Sequence, residues 1–199
     1  MTPPIRFGRN VALRETSVAE GDPGTPGIAF LTLGCPKNQV DSEVMLGHLD
    51  RAGYRTVARV EDADVAVVNT CAFLASAIDE SIETLLEVAR HKETGRLRKL
   101  VVAGCLTQRY GEELLGEIPE LDAVMGTSDL DRVVQVVSGL LGSTPELTAT
   151  ADDPDLPGGD MTVRALSTST VSPYLKISEG CSAHCTFCII PDLRGPGRS

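Results

Sequence analysis

The stretch "VAVVNTC" (residues 65–71) joins four apolar residues, three of them valines, to a short polar pair and a cysteine. A phrase of the same kind stands before it, "IAFLTLGC" (28–35), and another after it, "LVVAGC" (100–105). Each apolar run is short and is followed by a segment that reads as helix. Strands that alternate with helices in this way are typical of βαβ units, so the sequence predicts a parallel sheet with flanking helices.

The other predicted elements come from the same patterns. Apolar residues at helical spacing predict four helices, with Asp129 able to cap the last of them. Shorter apolar runs predict further strands at "YRTV" (54–57), "AVMG" (123–126) and "YLKIS" (174–178). The four predicted helices span 41–52, 76–90, 111–117 and 129–141. The predicted fold class is therefore α/β.

Composition along the chain predicts four parts. Residues 1–27 have no sustained period and read as a loose leader, and residues 28–142 hold the α/β domain. Residues 143–172 are rich in Thr, Ser, Pro, Gly and Asp, which is typical of a linker. Residues 173–199 read as the start of a second domain.

Overall composition limits the function classes. The 199 residues carry a net charge of −10, which argues against a broad nucleic-acid surface. No apolar run approaches the ~18 residues needed to span a bilayer, and the first residues lack the apolar core of a signal peptide. We therefore expect a cytoplasmic protein, whose six cysteines ligate a metal or react rather than form a disulfide framework.

Three cysteines occupy equivalent positions. Cys35, Cys71 and Cys105 each stand at the first loop position after a predicted strand. Because the carboxyl ends of parallel strands lie at one edge of a sheet, the three thiols are expected to converge there. A single cysteine at a strand end is more often a small apolar residue of the core. Three in the same position favour a ligand set.

The other three cysteines lie within "CSAHCTFC" (181–188). Cys181, Cys185 and Cys188 would also form one stripe on a helix, but the residues around them are mediocre helix formers. His184 offers a second alternative, a zinc site of three cysteines and one histidine. Three thiolates on a four-iron cluster would instead leave one iron open to an external ligand, as a catalytic cluster requires.

The second cysteine set also resembles a known signature. Cys181-x-x-x-Cys185-x-x-Cys188, directly after a predicted strand, is similar to the motif of the radical S-adenosylmethionine enzymes. The resemblance implies a 4Fe–4S cluster on these cysteines, whose open iron binds S-adenosylmethionine. It also implies that the backbone near Phe187 approaches the adenine, which makes Phe187 a candidate cofactor-binding residue.

Four motifs together resemble the methylthiotransferases. They are "GCPKNQVDSE" (34–43), "NTCAF" (69–73), "GC" (104–105) and "CTFCIIPDLRG" (185–195). The resemblance implies a flavodoxin-like N-terminal domain with an auxiliary 4Fe–4S cluster on the first three cysteines. It further implies a radical S-adenosylmethionine (β/α) barrel, of which this chain would carry only the first strand and the cluster loop.

The residues after Cys35 point to one branch of this family. Pro36 and Lys37 match the branch that methylthiolates the β-carbon of an aspartate in small-subunit ribosomal protein S-twelve, although Gln39 stands where that branch often has Leu. The resemblance implies this ribosomal protein as partner, a reductant such as flavodoxin or ferredoxin, and a monomer without membrane contact. It also implies that the present chain is a fragment, inactive alone.

Alternative interpretations stay open from the sequence. One is a methylthiotransferase that acts on tRNA adenosine, and another is a non-catalytic module that binds a cluster or zinc. A flavin-binding flavodoxin is disfavoured because the loop after Leu33 lacks a phosphate cradle. Near Cys35, the residues Lys37, Asn38 and Asp41 either shape the auxiliary site or belong to a helix start, with Asn38 or Asp41 as its cap. Arg194 faces either the cofactor or solvent.

Overall fold

Over the residues that the structure describes, the sheet is parallel throughout and contains six strands. The computed structural model describes residues 24–142, 149–150, 160–167 and 172–199. The strands are β1 (Gly27–Thr32), β2 (Arg55–Val57), β3 (Val65–Thr70), β4 (Lys99–Gly104), β5 (Ala123–Met125) and β6 (Ala149–Thr150). Their spatial order is β2-β1-β3-β4-β5-β6. The first five strands thus follow the 2-1-3-4-5 order of flavodoxin-like folds, which agrees with the fold that the resemblance implies.

Helices follow the strands of the sheet. They are α1 (Pro36–Arg51), α2 (Ala75–Thr94), α3 (Cys105–Glu117), α4 (Val133–Leu141) and a short α5 (Ile190–Arg194). Four of them confirm the predicted helices, but two begin more than one turn earlier than predicted: α1 at Pro36, a favoured first helical position, and α3 at Cys105. A 3₁₀ turn at 130–132 precedes α4, so Asp129 does not cap that helix; its carboxylate accepts from the Gly126 amide instead.

Two apolar clusters cover the two faces of the sheet. Along β3, Ala66 and Val68 belong to the first cluster, which includes buried residues of α2 and α3. Val65 and Val67 belong to the second, which includes buried residues of α1 and α4. Because both faces are covered, the central strands are continuous apolar runs rather than alternating ones.

The strand register brings three strand ends to one edge. Thr32 of β1 lies opposite Asn69 of β3, and Thr70 of β3 lies opposite Gly104 of β4. The chain order reverses between β1 and β3, which is the switch point where α/β sheets bind ligands at the carboxyl ends of their strands.

The strand predicted over 174–178 is wrong. These residues have no regular secondary structure, and within the described part of the chain no strand pairs with them. A strand needs a neighbour to satisfy its backbone groups, so an alternating pattern alone does not form one. The antiparallel bridge of this segment joins Glu179 to Arg198.

The predicted leader and linker fall mainly outside the described residues. Of the predicted linker, residues 160–167 lie against α1: the Arg164 Nε donates to the Glu43 carboxylate at 2.6 Å, and the Ala165 amide donates to the Glu43 carbonyl at 2.9 Å. The division of the chain into domains stays a prediction. Over the described residues, no helix combines the length and the apolar character that crossing a bilayer would need.

Candidate metal centre at the carboxyl edge of the sheet

The first cysteine set lies at the edge where β1, β3 and β4 end. Cys35 occupies the N-cap position of α1 and is exposed, whereas Cys71, directly after β3, is buried. Cys105 is buried too, and it is the first residue of α3 rather than a loop residue as predicted. All three thiols are free. The period of the βα units therefore places the three cysteines at one edge.

Asn38 lies between the ends of the strands. Its amide nitrogen donates to the Leu33 carbonyl at 3.0 Å and to the Thr70 carbonyl at 2.8 Å, and its side chain is fully buried. The amide oxygen lies 4.0 Å from the Cys35 sulfur and 3.9 Å from the Cys105 sulfur. The interpretation of Asn38 as a helix cap is wrong, because α1 has already begun at Pro36.

Glycines allow this close approach of backbone and thiols. Gly34 has φ +91°, and a Cβ there would lie 2.6 Å from the Cys71 Cβ. Gly104 has φ +97°, and a Cβ there would lie 2.2 Å from the Asn69 amide oxygen. The residue before Cys35 and the residue before Cys105 are thus required to be glycine by both backbone conformation and space.

Arg194 brings a positive charge to this edge from the far end of the sequence. Its side chain is buried, with the residue 2% exposed. One terminal nitrogen donates to the Asn38 amide oxygen at 2.7 Å and to the Asp41 carboxylate at 2.8 Å. The other contacts the Glu179 carboxylate at 3.1 and 3.2 Å. The alternative of a solvated Arg194 is therefore wrong.

The buried charges at the edge form one network. The Lys176 amine contacts the Asp41 carboxylate at 2.7 Å and also pairs with Glu179. Burial raises the pKa of Glu179, but the charges of Arg194 and Lys176 lower it more, so that it falls to about 2. Asp41 is buried within α1, so it is no helix cap either. The half-buried Lys37 amine also contacts the Glu179 carboxylate, at 3.4 Å, so three cations and two carboxylates meet here.

Both burial and this network change the pKa of the Cys105 thiol. Burial raises its pKa to about 11, although the adjacent Arg194 guanidinium acts in the opposite direction. At neutral pH the free thiol therefore keeps its proton. Binding of a metal at Cys105 would have to release that proton, since the thiolate is the ligand.

The second cysteine set lies in an irregular segment. Cys181 and Cys188 are half-buried and Cys185 is exposed. The Cys188 amide donates to the Cys185 carbonyl at 3.1 Å, which closes a turn. The helical-stripe alternative is wrong, because α5 begins only at Ile190. Phe187 is 87% exposed, so its ring lies free at the surface.

The side chains are not arranged as a completed metal site. Among the described residues, no three His, Cys, Asp or Glu side chains form a group that could hold a metal ion. The chemistry of the donors nevertheless fits a thiolate-bound metal, because free thiols at one edge are the soft ligands that zinc and iron–sulfur clusters take. The buried Asn69 amide oxygen, which has no hydrogen-bond partner, also marks this edge as incompletely satisfied.

Sequence reasoning missed the residues that surround the thiols. Asn69 is a polar residue inside an otherwise apolar run, and this could have marked it in advance. Glu179 and Lys176 carry no such mark. Their importance comes from contacts with α1, more than 130 residues away in the sequence.

Comparison with known proteins places the chain in a class. Residues 27–126 match the uncharacterized protein family UPF0004, the N-terminal domain of methylthiotransferases, and the chain belongs to this family. Among curated proteins it is 51% identical over 172 residues to ribosomal protein uS12 methylthiotransferase RimO of Desulforudis audaxviator, covering 86% of this chain and 38% of that protein. It is 48% identical over 172 residues to the protein of the same name from Symbiobacterium thermophilum, covering 86% of this chain and 35% of that protein. The chain thus spans little more than a third of the length of these relatives.

Proposed function

We propose that this chain is part of a methylthiotransferase that modifies the β-carbon of an aspartate in small-subunit ribosomal protein S-twelve. The observation that carries the proposal is the placement of Cys35, Cys71 and Cys105 at one sheet edge. The relatives that are named as ribosomal protein uS12 methylthiotransferases support the choice of substrate protein. The acidic net charge of −10 suits a basic ribosomal protein better than RNA.

Each cysteine set has its own role in the proposal. Cys35, Cys71 and Cys105 would hold an auxiliary 4Fe–4S cluster. A second 4Fe–4S cluster would be held by Cys181, Cys185 and Cys188, with S-adenosylmethionine beside it and the Phe187 backbone toward the adenine. When bound, these groups supply the radical chemistry and the sulfur transfer, as cofactors do in general.

The chain's own residues position and shield the first set. Cys71 and Cys105 are buried, which excludes water from two of the three ligands. Asn38 fixes the ends of β1 and β3 through its amide nitrogen. The second set faces outward, with Cys185 and Phe187 exposed, so a cofactor and a protein substrate have access to it.

The remaining parts of the proposal concern the cellular setting. We propose a cytoplasmic monomer that receives electrons from a flavodoxin or a ferredoxin. Because the chain spans about a third of its relatives' length, we expect no turnover from the 199 residues alone. A methylthiolation assay with this chain and a peptide of the ribosomal protein tests that expectation, and product formation would contradict it.

Iron and acid-labile sulfide per chain test the site assignment. The chain is reconstituted anaerobically as wild type, as Cys35→Ala/Cys71→Ala/Cys105→Ala and as Cys181→Ala/Cys185→Ala/Cys188→Ala. We expect each triple variant to lose about half of the iron, because each removes one of two three-thiolate ligand sets.

Other results would favour the alternatives. Stoichiometric zinc without iron in the wild-type chain would overturn the proposal in favour of a zinc-binding module. Binding to a tRNA stem-loop rather than to the ribosomal protein would favour the enzyme that acts on tRNA adenosine.

A further inference from the structure

Arg194 is buried at a cost that its surroundings must offset. Moving a guanidinium out of water costs several kcal/mol unless it is paired and hydrogen-bonded. Here the residue is 2% exposed, and its partners come from two distant parts of the chain. Asn38 and Asp41 belong to α1, whereas Glu179 belongs to the segment that carries the second cysteine set. The guanidinium therefore joins the two parts that carry the two cysteine sets.

The position of Arg194 is fixed by the docking of its neighbours. Leu193 is 2% exposed and belongs to the apolar cluster that α2 and α3 share. The Thr127 hydroxyl donates to the Leu193 carbonyl at 2.8 Å, and Arg198 donates to the Arg194 carbonyl at 3.2 Å. The backbone that carries Arg194 is therefore held by the buried Leu193 and by two hydrogen bonds to carbonyls.

The guanidinium meets the first cysteine set at the Asn38 amide oxygen and also lies beside the Cys105 thiol. The Asn38 amide oxygen accepts from Arg194 at 2.7 Å and faces the sulfurs of Cys105 and Cys35 at 3.9 and 4.0 Å. The fixed charges around it are three cations, Arg194, Lys176 and Lys37, and two carboxylates, Asp41 and Glu179. Loss of Arg194 would make the net charge around the Asn38 amide oxygen more negative by one.

We propose that Arg194 is a positioning residue of the first cysteine set, which orients Asn38 and keeps a positive charge beside Cys105 and Cys35. This inference rests on the proposed function, because it concerns the cluster that these cysteines would hold. A nearby positive charge stabilises the reduced, more negative state of such a cluster and so raises its reduction potential. The segment that carries the second cysteine set would thereby raise the reduction potential of the cluster on the first set.

The test is a redox titration of the first cluster alone. The chain carries Cys181→Ala/Cys185→Ala/Cys188→Ala, so that the electron paramagnetic resonance signal reports one site. In this background we compare Arg194, Arg194→Gln and Arg194→Lys. Arg164→Gln serves as the matched control, since Arg164 also pairs with α1, through Glu43, but its other hydrogen bond is to the Tyr174 carbonyl.

We expect Arg194→Gln to lower the midpoint potential. The shift should change the ratio of reduced to oxidised cluster about tenfold at fixed potential, which corresponds to about 59 mV for a one-electron couple. Arg194→Lys keeps the charge and should shift the potential less. Arg164→Gln should leave it unchanged. Loss of iron in Arg194→Gln with retention in Arg194→Lys would support the same role.

Several results would overturn the inference. They are an unchanged potential in Arg194→Gln, an equal shift in Arg164→Gln, or global unfolding of both Arg194 variants by circular dichroism, which would make the role purely structural. If the parent chain binds no iron at all, the proposed function fails and this inference fails with it. An unchanged potential in a chain that does bind iron would overturn this inference alone.

Discussion

At the scale of single residues, the geometry of the first cysteine set depends on glycines as much as on cysteines. Gly34 and Gly104 each precede a cysteine, and both have backbone conformations that an L-residue adopts only with strain. A side chain at Gly34 would also collide with Cys71, whose Cβ and sulfur would lie 2.6 and 3.0 Å from the added atom. The two effects can be separated, because Gly53 has φ +84° with no atom within 4 Å of a Cβ.

Gly34→Ala should therefore damage the site beyond its effect on the backbone. We expect Gly53→Ala to lower the free energy of unfolding by about 1 kcal/mol through backbone strain alone. Gly34→Ala should cost more and should reduce the iron bound by the first set, because Cys71 must move. Urea unfolding and iron content of the two variants check this. Equal losses of stability with unchanged iron in both variants would show that the contact with Cys71 does not matter.

At the scale of elements, the carboxylate of Asp122 links β4, β5 and α2. It lies at the amino edge of the sheet, opposite the carboxyl edge where the cysteines lie. Asp122, just before β5, accepts from the Leu100 amide of β4 at 2.8 Å and from the amines of Lys92 on α2 and Lys99 on β4 at 2.6 and 2.9 Å. Burial raises its pKa, but these three donors lower it more, so the net shift is downward from 3.8. A lowered pKa means that the folded state favours the ionised form.

The contribution of Asp122 should consequently depend on pH in one direction. Above its unfolded pKa of about 3.9 the carboxylate is ionised and stabilises the fold, and the contribution fades as the pH falls through the folded value. We expect Asp122→Asn to lower the free energy of unfolding by about 2 kcal/mol at pH 7, as for hydrogen bonds to a charged group. The deficit should shrink below pH 4.

Denaturant titrations between pH 7 and pH 3 measure this deficit. The control is Asp79→Asn, at an exposed position of α2, the helix that carries Lys92. This variant should show no deficit in the free energy of unfolding at any pH. A deficit for Asp122→Asn that stays constant down to pH 3 would mean that packing, not charge, explains the loss.

The elements that the sequence predicts well are those with their own local pattern. The runs that became β1, β3 and β4 are continuous and apolar because both faces are covered, and this pattern needs no knowledge of the neighbours. The run 174–178 has an equally clear alternating pattern but no partner strand among the described residues. Strand formation depends on pairing, and the pattern of one segment carries no information about its partner.

The candidate site likewise contains one part that the sequence predicts and one part that it does not. The convergence of the three cysteines could be predicted, since each follows a strand and parallel strands end at one edge. The surrounding charges could not be predicted, because the contacts of Arg194 with Asn38 and Asp41 span 156 and 153 residues of sequence. A lone arginine looks the same in sequence whether it is buried or solvated.

At the scale of the whole molecule, residues 172–199 are attached to the sheet domain by a small number of contacts. Leu193 and the partly buried Ile189 supply apolar contacts, and the Arg194 network and the Thr127 hydroxyl supply polar ones. By contrast, Leu175 and Ile177 of the same segment are 81% and 78% exposed. The apolar part of the attachment therefore comes from the end of the segment, whereas its start contributes polar contacts such as that of Lys176 with Asp41.

This difference predicts how the segment and the sheet unfold. Leu193→Ala removes a fully packed side chain and should lower the free energy of unfolding by about 2–5 kcal/mol if the segment unfolds together with the sheet. Leu175→Ala, a matched truncation at an exposed position, should change it by less than about 0.5 kcal/mol. Urea unfolding followed by circular dichroism gives both values.

Hydrogen exchange should at the same time show lost protection at the Cys181 and Arg198 amides in Leu193→Ala, because these amides bond within the docked segment. If those amides lose protection while the unfolding transition stays in place, the segment docks and undocks independently of the sheet.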